Sequence, residues 1–156
     1  MSLDDIDKQI LSRLQEDAKM TASNMSKKIG SPITTIYSRI KRLEDSGVIK
    51  GYRPVLDYGK LQRSTTAFIF ANLDRQILGT EGYEDYSVFE AVSMLPEVQE
   101  VHIISGEWDL LIKVREVNSE AIGEFIMNKL KRFPGIIEVI SCMVFRTGKE
   151  TMDVSL

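Results

Sequence analysis

The sequence predicts an α+β chain in two parts, a module of three short helices followed by a βαββαβ succession. Three observations predict it. Apolar residues recur at helical spacing up to Leu43, and alternate at strand spacing in several segments beyond Ser64. Between Pro54 and Ser64 both periods lapse and Pro and Gly appear, which marks a hinge. The charge also changes sign there: residues 1–60 hold 11 Lys/Arg against 8 Asp/Glu, and residues 61–156 hold 9 against 15. The expected division is therefore 1–53, a linker over 54–64, and 65–156.

In the first helix Asp4 or Asp5 supplies the cap, and Ile6, Ile10, Leu11 and Leu14 share one face. Thr21 caps a second helix with Met25 and Ile29 inward, and Gly30 ends it. Ser31-Pro32 opens a third, with Ser as cap and Pro at the first helical position. Ile33, Ile36, Ile40 and Leu43 form its apolar stripe, and Ser46-Gly47 stops it. The second and third helices are joined by so tight a turn that they must cross steeply, which is helix-turn-helix geometry. Val48–Arg53 then reads as a β-rich wing.

The second module begins with a strand over Thr65–Leu73, in which Ala67, Ile69, Ala71 and Leu73 alternate with Phe68 and Phe70. A polar loop, Asp74–Glu84, precedes a helix carrying Val88, Phe89, Val92 and Leu95 and ended by Pro96. Val98–Ile104 and Asp109–Val114 read as a hairpin about Ser105-Gly106-Glu107-Trp108. Asn118 or Ser119 caps the next helix, with Ile122, Phe125, Ile126, Leu130 and Phe133 inward, before Pro134-Gly135 and a last strand over Ile136–Phe145. Helix, proline and strand occur twice, as a ferredoxin-like sandwich requires. Such a sheet is covered on one face only, and the bare face, with Phe68, Phe70 and His102, is apolar enough to predict pairing of two copies.

Composition narrows the function. Hydrophobic residues are 43% and charged residues 28%, enough for a packed core, and no apolar run reaches the roughly 20 residues of a membrane span. An acidic start in place of a basic leader adds to the expectation of a cytoplasmic protein. One cysteine, Cys142, and one histidine, His102, exclude a disulfide framework and most metal or nucleophile–base arrangements. We therefore expect no cofactor, no metal and no enzyme. Cys142, His102 and the methionines read as core or interface packing.

Within Lys19–Arg53 eight cations face only Glu44 and Asp45. Such a run is often just a solvated surface. Here it falls on the segment that helix-turn-helix geometry would place in a DNA groove. Lys27, Lys28, Lys41, Arg42, Lys50 and Arg53 are expected on phosphates, and Thr34, Thr35, Ser38 and Arg39 on base edges.

The segment Ile29-Gly30-Ser31-Pro32-Ile33-Thr34-Thr35-Ile36-Tyr37-Ser38-Arg39-Ile40-Lys41-Arg42-Leu43-Glu44-Asp45-Ser46-Gly47-Val48-Ile49-Lys50-Gly51-Tyr52 resembles the DNA-binding segment of the Lrp/AsnC (leucine-responsive, feast/famine) regulators. Asp4-Asp5-Ile6-Asp7-Lys8-Gln9-Ile10-Leu11 is similar to that family's first helix, and Gly106-Glu107-Trp108-Asp109 to its Gly-x-x-Asp effector loop. The sequence departs from the family's usual pattern at Ser26, Ser31 and Trp108, and in the length of the Asp74–Glu84 loop. The resemblance implies a winged helix-turn-helix, a hinge and a ligand-sensing ferredoxin-like domain. It also implies a homodimer, or a tetramer or octamer, and an amino-acid effector held near Ser105, Gly106, Glu107, Trp108 and Asp109. There a glycine would let backbone amides approach a carboxylate, and Asp109 would accept from an ammonium. Without the resemblance those five residues are simply a hairpin turn. The function expected is a sequence-specific DNA-binding transcription regulator on a pseudo-palindromic operator. The alternative is an effector-sensing partner protein whose head does not bind DNA.

Overall fold

The computed structural model describes residues 2–74 and 85–156. The expected Asp74–Glu84 loop lies outside the described residues but for Asp74. The chain forms two compact units, one made of residues up to Leu56 together with Lys149–Leu156, the other of Asp57–Gly148.

The first unit contains α1 (Asp5–Glu16), α2 (Ala22–Ile29) and α3 (Ile33–Asp45). The Asp4 carboxylate accepts from the Asp7 N–H while the Asp7 carboxylate accepts from the Asp4 N–H, so two donors without helical partners are satisfied reciprocally. Thr21 accepts from the Asn24 N–H and starts α2, and Gly30, at φ 75°, ends it in the left-handed conformation that suits glycine. The core is small: Ile10, Met25, Ile36 and Leu43 are fully buried, with Ile6, Leu14, Ile29 and Ile40 packed around them.

Several expectations are corrected here. Ser31 does not cap α3. The helix enters through Pro32 with no side-chain cap, and the Ser31 carbonyl instead accepts from the Ser26 hydroxyl at 2.6 Å. Ile33 is 48% exposed, because the first turn of α3 extends beyond the core that Ile36 reaches. Val48–Arg53 forms no strand. A strand needs a partner edge, and no strand occurs among the described residues of this unit, while Pro54 just beyond has no N–H to donate. The final residues, expected in the second module, belong with the first: the Gln15 side chain donates to the Val154 carbonyl at 3.0 Å and accepts from its N–H at 2.7 Å.

The second unit contains β1 (Thr65–Leu73), α4 (Asp85–Ser93), β2 (Val98–Ile103), β3 (Leu110–Glu116), α5 (Ser119–Asn128), a 3₁₀ turn (Leu130–Arg132) and β4 (Ile136–Met143). Its antiparallel sheet runs β2-β3-β1-β4, with Ile69 opposite Ile112 and Phe70 opposite Ile140. This is the ferredoxin-like order. Ala67, Ile69, Ala71, Leu110, Ile112 and Val114 are buried in one cluster with Val88, Val92, Ile122 and Phe125 from the helices. Asn118 caps α5 through the Ala121 N–H at 2.8 Å.

The opposite sheet face is more polar than predicted. Phe68, Phe70 and Leu111 are half-buried there, but Lys113, opposite Phe68, donates to Glu100 at 2.9 Å. His102 lies 3.6 Å from the same carboxylate. Cys142 and His102 are exposed, as are Met94, Met127 and Met152, so none of these is core. Nor is the stretch 57–64 a free linker. The Arg63 N–H donates to the Tyr58 carbonyl at 2.8 Å, and Arg63 pairs with Glu116 of β3.

Candidate functional site

The surface of α3 divides into two stripes. The first carries Thr34, Ser38 and Lys41, all exposed, with the half-buried Thr35 beside it on the flank toward Arg39. Short hydroxyls here let another backbone or a groove floor come close. The Ser38 hydroxyl donates to the Thr35 carbonyl at 3.0 Å, and its oxygen keeps acceptor capacity. No side chain caps α3, so its first-turn N–H groups have no side-chain acceptor from the cap, and an anion there would be favoured by the helix dipole. Exposed Lys27 and Lys28 occupy the last turn of α2, and exposed Lys50 and Arg53 follow α3.

The second stripe carries Arg39 and Arg42, and the structure engages both with carboxylates at the start of α1. Arg39 Nη1 lies 2.5 Å from Asp4 Oδ2 and 3.0 Å from Asp7 Oδ1. Arg42 Nη2 lies 2.7 and 2.6 Å from the two oxygens of Asp7. The Asp7 side chain is 1% exposed, so one buried carboxylate from the start of α1 holds two guanidiniums of α3. The Arg39 hydrogen bond holds the Asp4 carboxyl below its usual range, and the Asp4 and Asp7 bonds raise Arg39. These arginines therefore fix the pitch of α3 on α1. Sequence reasoning read Asp7 only as part of a helix opening; a carboxylate in phase with the buried Ile10 is the signal that could have marked it.

Tyr37, 69% exposed on α3, was also not singled out. Tyr52 donates its hydroxyl to Glu44 at 2.8 Å and is pushed up to about 12 by burial and by that carboxylate.

In the second unit, Ser105, Gly106 and Glu107 are exposed at the β2–β3 turn, with Gly106 at φ 123°, where a side chain would strain the backbone. Trp108 packs on Phe70 with ring centroids 6.1 Å apart. Asp109 is more structural than expected: Oδ2 accepts from the Leu73 N–H at 2.9 Å, and its own N–H donates to the Ala71 carbonyl at 3.2 Å. The turn is thus moored to β1, and the five predicted residues are brought together by one hairpin.

Comparison with known proteins meets this geometry module by module. Residues 3–50 match the winged helix-turn-helix DNA-binding profile, and residues 66–154 match that of the Lrp/AsnC ligand binding domain. The chain belongs to the Lrp/AsnC family. Its Lrp/AsnC relatives include an uncharacterised HTH-type transcriptional regulator of Pyrococcus abyssi, 39% identical over 148 residues spanning 95% of this chain and 96% of the relative. The leucine-responsive regulatory protein of Escherichia coli is 32% identical over 149 residues, 96% of this chain and 88% of that one. Among solved structures, a Neisseria meningitidis transcriptional regulator in complex with L-Met superposes with a TM-score of 0.89 at 25% identity, covering 99% and 97% of the two chains. The Lrp/AsnC architecture, a helix-turn-helix domain followed by a ligand-binding domain, accounts for both units. Among the described residues no helix is long and apolar enough to cross a membrane.

Proposed function

We propose that this chain is a sequence-specific, DNA-binding transcription regulator that acts as a homodimer or larger ring and responds to an amino acid. The observation that carries the reading is the outer stripe of α3: an uncapped helix start, two hydroxyls and Lys41 exposed together, flanked by Lys27, Lys28, Lys50 and Arg53. Thr34, Thr35 and Ser38 read base edges, and the lysines with Arg53 neutralise phosphates. Arg39 and Arg42 contribute by holding α3 at its angle. Two copies present two such helices to successive major grooves, about one helical turn apart on a pseudo-palindromic operator. The amino-acid effector is supported by the names of the Escherichia coli and Neisseria relatives, and Ser105, Gly106, Glu107, Trp108 and Asp109 are its proposed contacts.

Fluorescence anisotropy on the chain's own upstream DNA tests the head. Lys41→Ala is expected to weaken matched and random DNA alike and to reduce the salt slope by about one contact, whereas Ser38→Ala changes the ranking of operator variants. Unchanged binding by both variants would overturn the assignment. For the effector, Asp109→Asn keeps an acceptor for the Leu73 N–H and removes the charge. It is expected to abolish any amino-acid effect on assembly while DNA binding persists; full retention would remove Asp109 from the site. A folded chain that binds no DNA would favour a sensing partner protein instead.

A further inference from the structure

The chain passes between its two units twice, once from Leu56 to Asp57 and again from Gly148 to Lys149. The second crossing delivers the C-terminal residues, which follow β4 in sequence yet lie with the first unit. What holds them there is Gln15, in the last turn of α1. Its amide donates to the Val154 carbonyl at 3.0 Å and accepts from the Val154 N–H at 2.7 Å. Both polar ends of one side chain thus serve both backbone groups of one tail residue. An amide used this way imitates a strand edge and grips an extended segment whatever its side chains are.

A hold of this kind is weak. Met152, Val154 and Leu156 stay 85%, 62% and 49% exposed, so the tail buries little apolar surface. The two hydrogen bonds replace bonds to water, while the whole stretch Lys149–Leu156 loses chain freedom. Docking succeeds because the tail is tethered to the chain that carries its acceptor, which keeps its local concentration high. A contact of this strength opens and closes, as segments at the low-stability end of a protein do. Opening leaves one crossing anchored in place of two.

We propose that Lys149–Leu156 is a reversible strap on α1. Docked, it adds a second anchored crossing and limits how far the helix-turn-helix head can swing. Released, it leaves the head held by the first crossing alone. The consequence for DNA rests on the reading proposed above: two heads on a pseudo-palindromic operator tolerate less variation in half-site spacing when strapped than when free.

Distance distributions within the full chain test the strap without DNA. Spin labels at Ser23→Cys and Glu120→Cys, both exposed positions, report on one unit against the other in a Cys142→Ser background. Excess unlabelled chain keeps the measured pairs within one molecule. The strapped protein is expected to give a dominant narrow peak in double electron–electron resonance. Gln15→Ala deletes both bonds, and Val154→Pro removes the tail donor without touching α1; each should replace that peak with a broad distribution. A broad distribution before substitution, or broadening by neither variant or by only one, overturns the proposal. Gel shifts on operators whose half-sites are moved apart in single base-pair steps then read the consequence. Both variants should lose less affinity than wild type as the spacing changes, and equal losses with DNA bound would overturn the strap's hold on the head. Should the peak broaden as expected while no form binds DNA, the strap stands and the DNA reading is the one that fails.

Discussion

The two units are held together by different forces. Among the described residues, the second buries twelve in one apolar cluster, whereas the first fully buries four apolar side chains and adds a buried carboxylate, Asp7, with two guanidiniums. A small module has too little interior to lock three helices by apolar burial alone. A charge clamp is directional where apolar contact is not, so it fixes helix angle as well as contact. The lesson is that two cations on α3 belong to the foundation of the helix, which leaves Thr34, Ser38 and Lys41 as its freely exposed polar stripe.

That contrast can be broken most forcefully in the sheet. Ile112→Ala removes a fully buried side chain at the centre of the four strands and is expected to cost about 2–5 kcal/mol. Differential scanning calorimetry should show the transition of the second unit falling while that of the first holds. Equal falls in both would mean that the units do not unfold separately. Asp7→Asn is the matching lesion in the first unit. Breaking a buried pair costs about 3–5 kcal/mol, but the Arg42 side chain is 48% exposed, which lowers the expectation to about 2–3 kcal/mol. DNA affinity should fall with it although Asp7 touches no DNA; an unchanged melting curve would show that the clamp is ornamental.

Acid gives a smaller effect with a defined sign. The carboxyls of Asp4, Glu97 and Glu100 are all held below their usual range: Asp4 first by its hydrogen bond to Arg39, Glu100 first by its bond to Lys113, and Glu97 by Lys129 and Arg63 against its burial. A lowered folded pKa means that the stabilisation is complete above the ordinary carboxylate range and is lost as pH falls through the lowered value. Stability should therefore be flat from pH 7 to about 5 and drop below about 4, and Arg39→Ala should remove the share of that drop carried by Asp4. A loss beginning near neutral pH would contradict it. Gln15→Ala, which removes the two bonds to Val154, should have the least effect: earlier proteolytic release of Lys149–Leu156, with the melting point little changed.

Local patterns made much of the fold legible. The alternation of Ala67, Ile69, Ala71 and Leu73 marks a strand that is one-sided in the structure, and the spacing of Ile36 and Leu43 marks a buried helix stripe. Thr21, Gly30 and Asn118 act where their chemistry is strongest, at helix ends. What escaped depends on partners far along the chain. Arg39 and Arg42 meet Asp7 across 32 and 35 residues, and Gln15 meets Val154 across 139, so no window of sequence contains either contact. Ser31 is by composition a good cap, but once the turn is closed its carbonyl accepts from the Ser26 hydroxyl and its side chain caps nothing. The wing failed as a strand because extended propensity does not itself provide a neighbouring edge. At the Gly106 turn the glycine and the hairpin were readable; the mooring of Asp109 to Leu73 required knowing that β1 lies beside β3.

The central claim is that the outer stripe of α3 seats on duplex DNA. Its most direct test is the affinity of the full chain for its own upstream region, set against a scrambled duplex across a series of salt concentrations. The account predicts preferential binding to the upstream region, with log affinity falling linearly against log salt at a slope of about −0.9 per phosphate contact. It also predicts that Thr34→Ala with Ser38→Ala erases the preference and leaves that slope in place. A folded chain that binds both duplexes equally, or neither at low salt, would contradict it.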